Sequence, residues 1–190
     1  MDASPNIKDG GFLNPESVVG DFGVMPGMRI ADFGCGAGHI GIITAQKIGK
    51  EGKLIALDIM EDKLDSFRAR AKALGLENVE VKRANLEVPG NTGITENTQD
   101  MVLLINILFQ SQKKPEIVRE AKRVLKPGGS VVLIEWKKGS GAPSGQAGLG
   151  PPDDLRTDTN AMQGILAVEG FKFSRSFNVG QFHYGMIFTK

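Results

Sequence analysis

The chain of 190 residues contains one cysteine, one tryptophan, one tyrosine and two histidines. A lone thiol, Cys35, excludes an internal disulfide and any metal site built on several cysteines, and no metal is expected. No apolar run approaches membrane-span length, and the first residues lack the apolar core of a secretory leader, so a cytoplasmic protein is expected. The formal net charge of +1 provides no global attraction to nucleic acid, membrane or acidic substrates, although a local basic patch stays open. Apolar residues at 41% and charged residues at 24% are ordinary for a globular protein, and the length suits one domain over residues 1–190. The sequence leaves the oligomeric state open.

Against these absences stands one glycine-dense stretch, Arg29-Ile30-Ala31-Asp32-Phe33-Gly34-Cys35-Gly36-Ala37-Gly38-His39-Ile40-Gly41. A short apolar run carries an acid near its end, glycines then recur at every second position, and a helical pattern follows. A strand turning into a helix through a loop without side chains lets a ligand approach the backbone. The helix start beyond it offers free N–H groups and partial positive charge to an anionic group. Gly36, Gly38 and Gly41 also satisfy the G-x-G-x-x-G spacing of dinucleotide sites, so spacing alone does not name the ligand.

Asp32 separates the two readings. The run Asp32-x-Gly34-x-Gly36-x-Gly38 resembles the first motif of the class I methyltransferases that use S-adenosylmethionine. The resemblance implies that this loop, with Asp32, Gly34, Cys35, Gly36, Gly38 and His39, holds the methionine end of that cofactor. A carboxylate suits the helix start and an ammonium suits the nearby acid. A second likeness lies at Arg123-Val124-Leu125-Lys126-Pro127-Gly128-Gly129, which resembles a helix-to-strand joint of the same family. The likeness runs from about Phe12 to the end, and is closest to the small-molecule and quinone-type methyltransferases. It implies a Rossmann-like, doubly wound α/β sheet of seven strands in the order 3-2-1-4-5-7-6, with strand 7 antiparallel.

Taken in order, residues 1–11 read as a loose arm. Asn14-Pro15 reads as an N-cap and first helical residue, and the preceding Phe12-Leu13 as a hydrophobic staple. A first strand is expected near 28–33, then a helix with Ile40, Ile43 and Ile48 on one face. Lys53 to Asp58 reads as a second strand ending in an acid, placed to accept hydrogen bonds from ribose hydroxyls. Leu64, Phe67, Ala71 and Leu74 repeat at helical spacing, with Phe67 expected in the core. Val79 to Ala84 reads as a strand, with Asn85 at its end; the resemblance implies that its side-chain carbonyl meets the adenine amino group. Ile59, Leu86 and Asn106 complete the implied cofactor contacts. Asp100 to Asn106 is an apolar run without alternation, expected as a buried strand. A helix from Pro115, a strand over Val131–Trp136, and a Gly/Ser/Pro-rich stretch at 137–154 follow, the last read as a lid or a linker. A helix near 158–169 precedes two strands expected to join through a tight Gly180-Gln181 return.

Ligands in such sheets bind outside the carboxyl ends of the parallel strands. The predicted order brings His183 and Tyr184 to Glu135 and Trp136, which suggests an acceptor pocket with Gln110 as a further wall. His183 and Glu135 are the candidates for a general base. Sequence alternation places His183 and Tyr184 on opposite faces, so one of them is expected in packing or solvent. The resemblance implies methyl transfer (EC 2.1.1.-) in which alignment and desolvation do most of the work. The Asn/Asp-Pro-Pro-aromatic motif for exocyclic base amines and the cysteines for pyrimidine or arsenic chemistry are missing, which favours a small molecule or an unmodified protein or RNA nucleophile without choosing among them; the resemblance implies a small-molecule acceptor. Three alternatives stand beside it: an RNA methyltransferase of the compact fibrillarin type, an NAD(P)-dependent oxidoreductase, and a non-catalytic cofactor-binding relative.

Overall fold

The computed structural model describes residues 13–142 and 150–190. The expected arm at 1–11, Phe12 of the staple and the middle of the 137–154 segment lie outside the described residues. Helix α1 (Pro15–Asp21) opens as expected: the Asn14 side chain accepts the Ser17 N–H at 3.1 Å, and proline occupies the first turn. There follow β1 (Arg29–Phe33), α2 (Gly41–Ile48), β2 (Lys53–Asp58), α3 (Glu61–Ala73), β3 (Val79–Arg83) and β4 (Gln99–Ile105). A 3-10 turn (Leu108–Gln110), α4 (Lys114–Val124), β5 (Leu125–Trp136), α5 (Thr159–Val168), β6 (Lys172–Phe177) and β7 (His183–Thr189) complete the chain.

The sheet has seven strands in the order β3-β2-β1-β4-β5-β7-β6. Pairings among β1 to β5 are parallel, and β7 runs antiparallel to both β5 and β6. Strand parity sends the apolar side chains to two cores. On one face Ile30, Leu54, Leu103 and Val132 pack with α1, α2 and α3, where Phe67 and Leu64 are fully buried. On the other, Phe33, Leu104, Leu133 and Phe188 pack with α4 and α5. Burial on both faces explains the unbroken apolar run of β4. Among the described residues no helix is long and apolar enough to cross a membrane.

Four local expectations change. Strand β5 starts at Leu125, six residues before the expected Val131. Lys126 precedes a proline and is held extended, and Lys190 pairs with Gly129 through its N–H at 2.9 Å. The β6–β7 connection spans Asn178 to Phe182 instead of a two-residue return. There the Asn178 side chain accepts the Gly180 N–H at 3.0 Å, which closes an Asx turn in place of a hairpin turn. The buried face of α2 is Ile42, Ala45 and Ile48, with Ile43 only half-buried, and Leu74 lies past the end of α3 and is exposed. Finally, His183 and Tyr184 are both buried, because β7 is an inner strand covered on both faces.

Candidate functional site

The sheet order reverses between β1 and β4, and a crevice opens at their carboxyl ends. The glycine turn leaves β1 and folds over the end of β2: the N–H groups of Gly34 and Cys35 both reach Leu57 O, at 2.8 and 2.9 Å. Gly34 takes φ +77°, and a Cβ there would lie 2.6 Å from Ile107 Cδ1. Gly38 and Gly41 are needed for another reason, since a Cβ on either would strike the Phe67 ring at 2.7–2.8 Å. Gly36 is the open one, with nothing within 4 Å of a Cβ position. The turn is therefore clamped from two sides and bare on the third.

That bare side faces a cavity of about 410 Å³ lined by Gly34, Gly36, Asp58, Ile59, Asn85, Leu86, Asn106 and Gln110, all expected from sequence. Its volume lies in the range typical of small-molecule and cofactor sites. Asp58 is fixed at the end of β2. Its Oδ2 accepts the Gly36 N–H at 2.9 Å and its Oδ1 the Met60 N–H at 3.0 Å, which leaves lone pairs on both oxygens toward the cavity. At the other end the Asn85 carbonyl accepts the Glu87 N–H at 3.0 Å, with its amide N–H groups uncommitted among the described residues. Exposed Ile59 and Met60 give the rim an apolar surface.

Asp32 lies behind the turn, on the same sheet face as Asp58 by parity. It is 3% exposed and has neither a hydrogen bond nor an ion pair with the described residues. Burial, reinforced by the Asp58 charge, pushes its carboxyl up to about 7. A buried carboxylate without a partner fits a cationic group in the turn. Cys35 belongs to the core, its Sγ 3.6 Å from Gly36 O, and burial plus the two carboxylates push its thiol up and keep it protonated. His39 is not among the residues lining the cavity and meets Arg70, whose Nη1 lies 3.3 Å from Nδ1. Gly38 packs under Phe67 and does not line the cavity.

The four residues expected to form an acceptor pocket divide between the two sheet faces. Glu135 pairs in register with Tyr184, and Trp136 with His183. On the α4–α5 face, Glu135 is fully buried, neither solvated nor paired with a lysine. Its Oε1 accepts the N–H groups of Ile107 and Leu108 at 3.0 and 2.6 Å, so it pins the turn after β4. Burial pushes the Glu135 carboxyl up to about 7 against those hydrogen bonds. Tyr184 OH meets Thr157 Oγ1 at 2.6 Å, and burial raises the phenol above its ordinary value.

On the other face Trp136 lies against His183, ring centroids 4.1 Å apart, and joins Phe182, Ala142 and half-buried Phe109 in a small apolar cluster. The Asn106 amide lies 3.3 Å from His183 Nε2, and Asn106 holds φ +53°, which is unusual for a side chain larger than glycine. Burial, helped by the positive charge of Arg156, lowers His183 to about 4, so the imidazole is neutral. Asn106 Oδ1, His183 Nδ1 and Glu135 Oε2 are buried without a hydrogen-bond partner among the described residues. The first two lie on the Trp136 side of the sheet and Glu135 Oε2 on the other, so only the Asn106–His183 pair can share a polar partner.

Sequence reasoning missed Lys63, Glu87, Ser111 and Ile117, which also line the cavity; Ser111 Oγ donates to Glu87 Oε1 at 2.6 Å across its far end. It also missed Arg156, buried beside Trp136. Nothing in a single sequence marks an arginine in a Gly/Pro-rich stretch as buried.

Residues 25–147 match a family described as a methyltransferase domain. A demethylmenaquinone methyltransferase of Bacillus cereus is 33% identical over 113 residues, covering 59% of this chain and 46% of the relative. The matched segment thus spans about half the length of the curated relatives. Among solved structures, a SAM-dependent methyltransferase from Aquifex aeolicus superposes with a TM-score of 0.81 at 27% identity, over 94% of this chain and 90% of the other. An arsenic(III) S-adenosylmethionine methyltransferase from Chlamydomonas reinhardtii, at 19% identity and TM-score 0.65 over 87% and 64% of the two chains, shares the fold alone. With the glycine turn, the strand order and the matched residues in agreement, the chain belongs to the methyltransferase domain family and has the class I seven-stranded architecture.

Proposed function

We propose that this protein transfers a methyl group from S-adenosylmethionine to a small, planar, ring-containing acceptor. One observation carries the reading: a bare glycine turn and a strand-end carboxylate share one cavity, with an unpartnered buried carboxylate behind the turn. The residues present suit the parts of that cofactor. Asp32 answers an ammonium, and Asp58 answers two vicinal hydroxyls with its free lone pairs. Asn85 and the Leu86 backbone answer a purine edge, while Ile59 and Met60 cover an apolar ring face. When bound, the cofactor supplies an activated sulfonium methyl group.

The protein's own task is then alignment and exclusion of water. Asn106, at the end of β4, faces both the cavity and His183, and so joins the cofactor end to the Trp136–His183 wall. Gln110 lines the same cavity one turn further on. Glu135 acts through the backbone: by holding the Ile107 and Leu108 N–H groups it fixes the turn that aims Asn106. In this reading it is a positioning residue, and His183 is the group that meets the acceptor's polar atom. The apolar cluster of Trp136, Phe182 and Phe109 suits a flat ring. The quinone-type chemistry named for the Bacillus relative is consistent with that shape.

Incubating the pure protein with methyl-labelled S-adenosylmethionine and a panel of hydroxylated naphthalenes and phenols tests the proposal. Label is expected in at least one ring acceptor, and at least tenfold less with Asn106→Ala. Incorporation only into RNA would favour the fibrillarin-type reading. No incorporation into any acceptor or cell-extract fraction would leave a cofactor-binding protein without transfer activity.

A further inference from the structure

Arg156 is an unusual residue for its position. It follows a Gly/Ser/Pro-rich stretch, yet its side chain is 1% exposed. Its guanidinium is held by oxygens that carry no full charge. Nε donates to Pro151 O at 3.0 Å, Nη2 to Ala142 O and Pro151 O at 2.8 Å each, and Nη1 to Ser140 Oγ at 3.2 Å. The nearest carboxylate, Asp153, is 3.7 Å away and half-exposed, while also accepting the Gly139 N–H. The cation sits 5.7 Å above the Trp136 ring, which also lies against His183.

Two consequences follow from the planar fork. Because it binds oxygens at 140, 142 and 151, it ties the residues just after β5 to those just before α5, and Gly150 rests against the Trp136 ring. A lysine has no such fork and could not span these acceptors. The second consequence is electrostatic. A buried positive charge whose one carboxylate partner among the described residues is half-exposed raises the potential of the wall beside it. The other charged or titratable groups near that wall are Glu135, Tyr184 and Lys137, with Asp153 and Asp158 on the solvent side. Glu135 is on the opposite sheet face, its Oε1 held by the Ile107 and Leu108 N–H groups.

We propose that Arg156 determines acceptor specificity: its buried charge beside Trp136, paired only with half-exposed Asp153 among the described residues, selects an acceptor whose reactive form is an anion, a ring enol or phenol, over an amine. This rests on the proposed methyl-transfer reading. The acceptor loses its hydroxyl proton to solvent, and the pair on its oxygen or ring carbon forms the new bond to the methyl carbon. The old carbon–sulfur pair stays with sulfur, so one proton is released per turnover. His183 serves this as a neutral hydrogen-bond donor: with Nε2 accepting from the Asn106 amide, its proton is on Nδ1, the orphaned buried nitrogen. The low titration of His183 is set first by burial and second by the Arg156 charge.

The test uses the full chain saturated with adenosylhomocysteine and two probes of similar size, 4-nitrophenol and benzylamine. Bound 4-nitrophenol, followed by the colour of its anion, should ionise about one pH unit or more below the free probe. Benzylamine should bind at least tenfold more weakly. Arg156→Gln should abolish the shift and raise the His183 titration by about one unit, read from its imidazole resonances. Arg156→Lys keeps the charge but not the fork, and should keep part of the shift. An unshifted or unbound phenol in the wild-type protein, equal shifts in wild type and Arg156→Gln, or tight benzylamine binding would each overturn the proposal. If Arg156→Gln fails to fold, the wild-type shift and the Arg156→Lys shift still decide it. Failure to bind adenosylhomocysteine at all overturns the cofactor reading instead.

Discussion

Asp32 offers a quantitative test, because its burial without a partner affects stability and binding in opposite directions. Its carboxyl is raised from 3.8 to about 7. The native state therefore holds this proton more tightly than the unfolded chain. The corresponding stability is present in full below pH 4 and is lost as pH rises toward 7. A shift of about three units, at 1.36 kcal/mol each, corresponds to about 4 kcal/mol lost from the ligand-free protein above pH 7. Asp32→Asn should recover a large part of that at pH 8, raising the urea midpoint. The neighbouring titrations do not obscure the comparison: Glu135, raised to about 7, loses stability over nearly the window in which His183, lowered to about 4, gains it. Binding should respond in reverse. An ammonium placed against Asp32 favours the ionised form, so adenosylhomocysteine affinity should fall about tenfold between pH 8 and pH 6. Near pH 7 binding should release about half a proton, measurable by calorimetry in buffers of different ionisation enthalpy. Asp32→Asn should remove both the pH dependence and the proton release while weakening affinity. A flat profile from pH 6 to 8, or unchanged affinity in the variant, would refute the assignment of Asp32 to a cation.

Three further outcomes follow from contacts already described. Gly34→Ala places a methyl group 2.6 Å from Ile107 in a left-handed backbone, and should lower cofactor affinity at least tenfold with a stability loss of about 1–3 kcal/mol by urea titration. Glu135→Ala leaves the Ile107 and Leu108 N–H groups buried without acceptors, costing about 2–4 kcal/mol, whereas Glu135→Gln keeps an acceptor and should cost much less in the same titration. Phe67→Ala opens space under Gly38 and Gly41 and should destabilise by about 3–5 kcal/mol, with loss of cofactor binding only as the turn loosens.

Much of this architecture was legible because it rests on local signals. The Asn14 cap, the acid at the end of Lys53–Asp58 and the non-alternating run of β4 are each set by neighbours in sequence. The cavity-lining glycines and strand-end polar groups were legible for the same reason, since each ends a strand and the topology collects those ends. What escaped depends on contacts between distant segments. Leu125 is held in β5 by its pairing with Gln99 of β4 and by the Lys190 side chain on its carbonyl, and the β6–β7 connection follows an Asx turn that Gly180 alone does not announce. The split of Glu135 and Tyr184 from Trp136 and His183 follows from register between β5 and β7, which pattern does not supply. Arg156 is the extreme case: its three oxygen partners are 5 to 16 residues away and two of them are backbone carbonyls.

The central claim is that one carboxylate, Asp58, and one bare turn at Gly34–Gly36 hold a sulfonium nucleoside across the ends of β1 and β2. Isothermal titration of the pure protein with adenosylhomocysteine at pH 8, beside Asp58→Ala, measures this directly. Saturable one-to-one binding that weakens at least tenfold in the variant is the predicted result. No heat in the wild-type protein, or equal affinity in both, would contradict it.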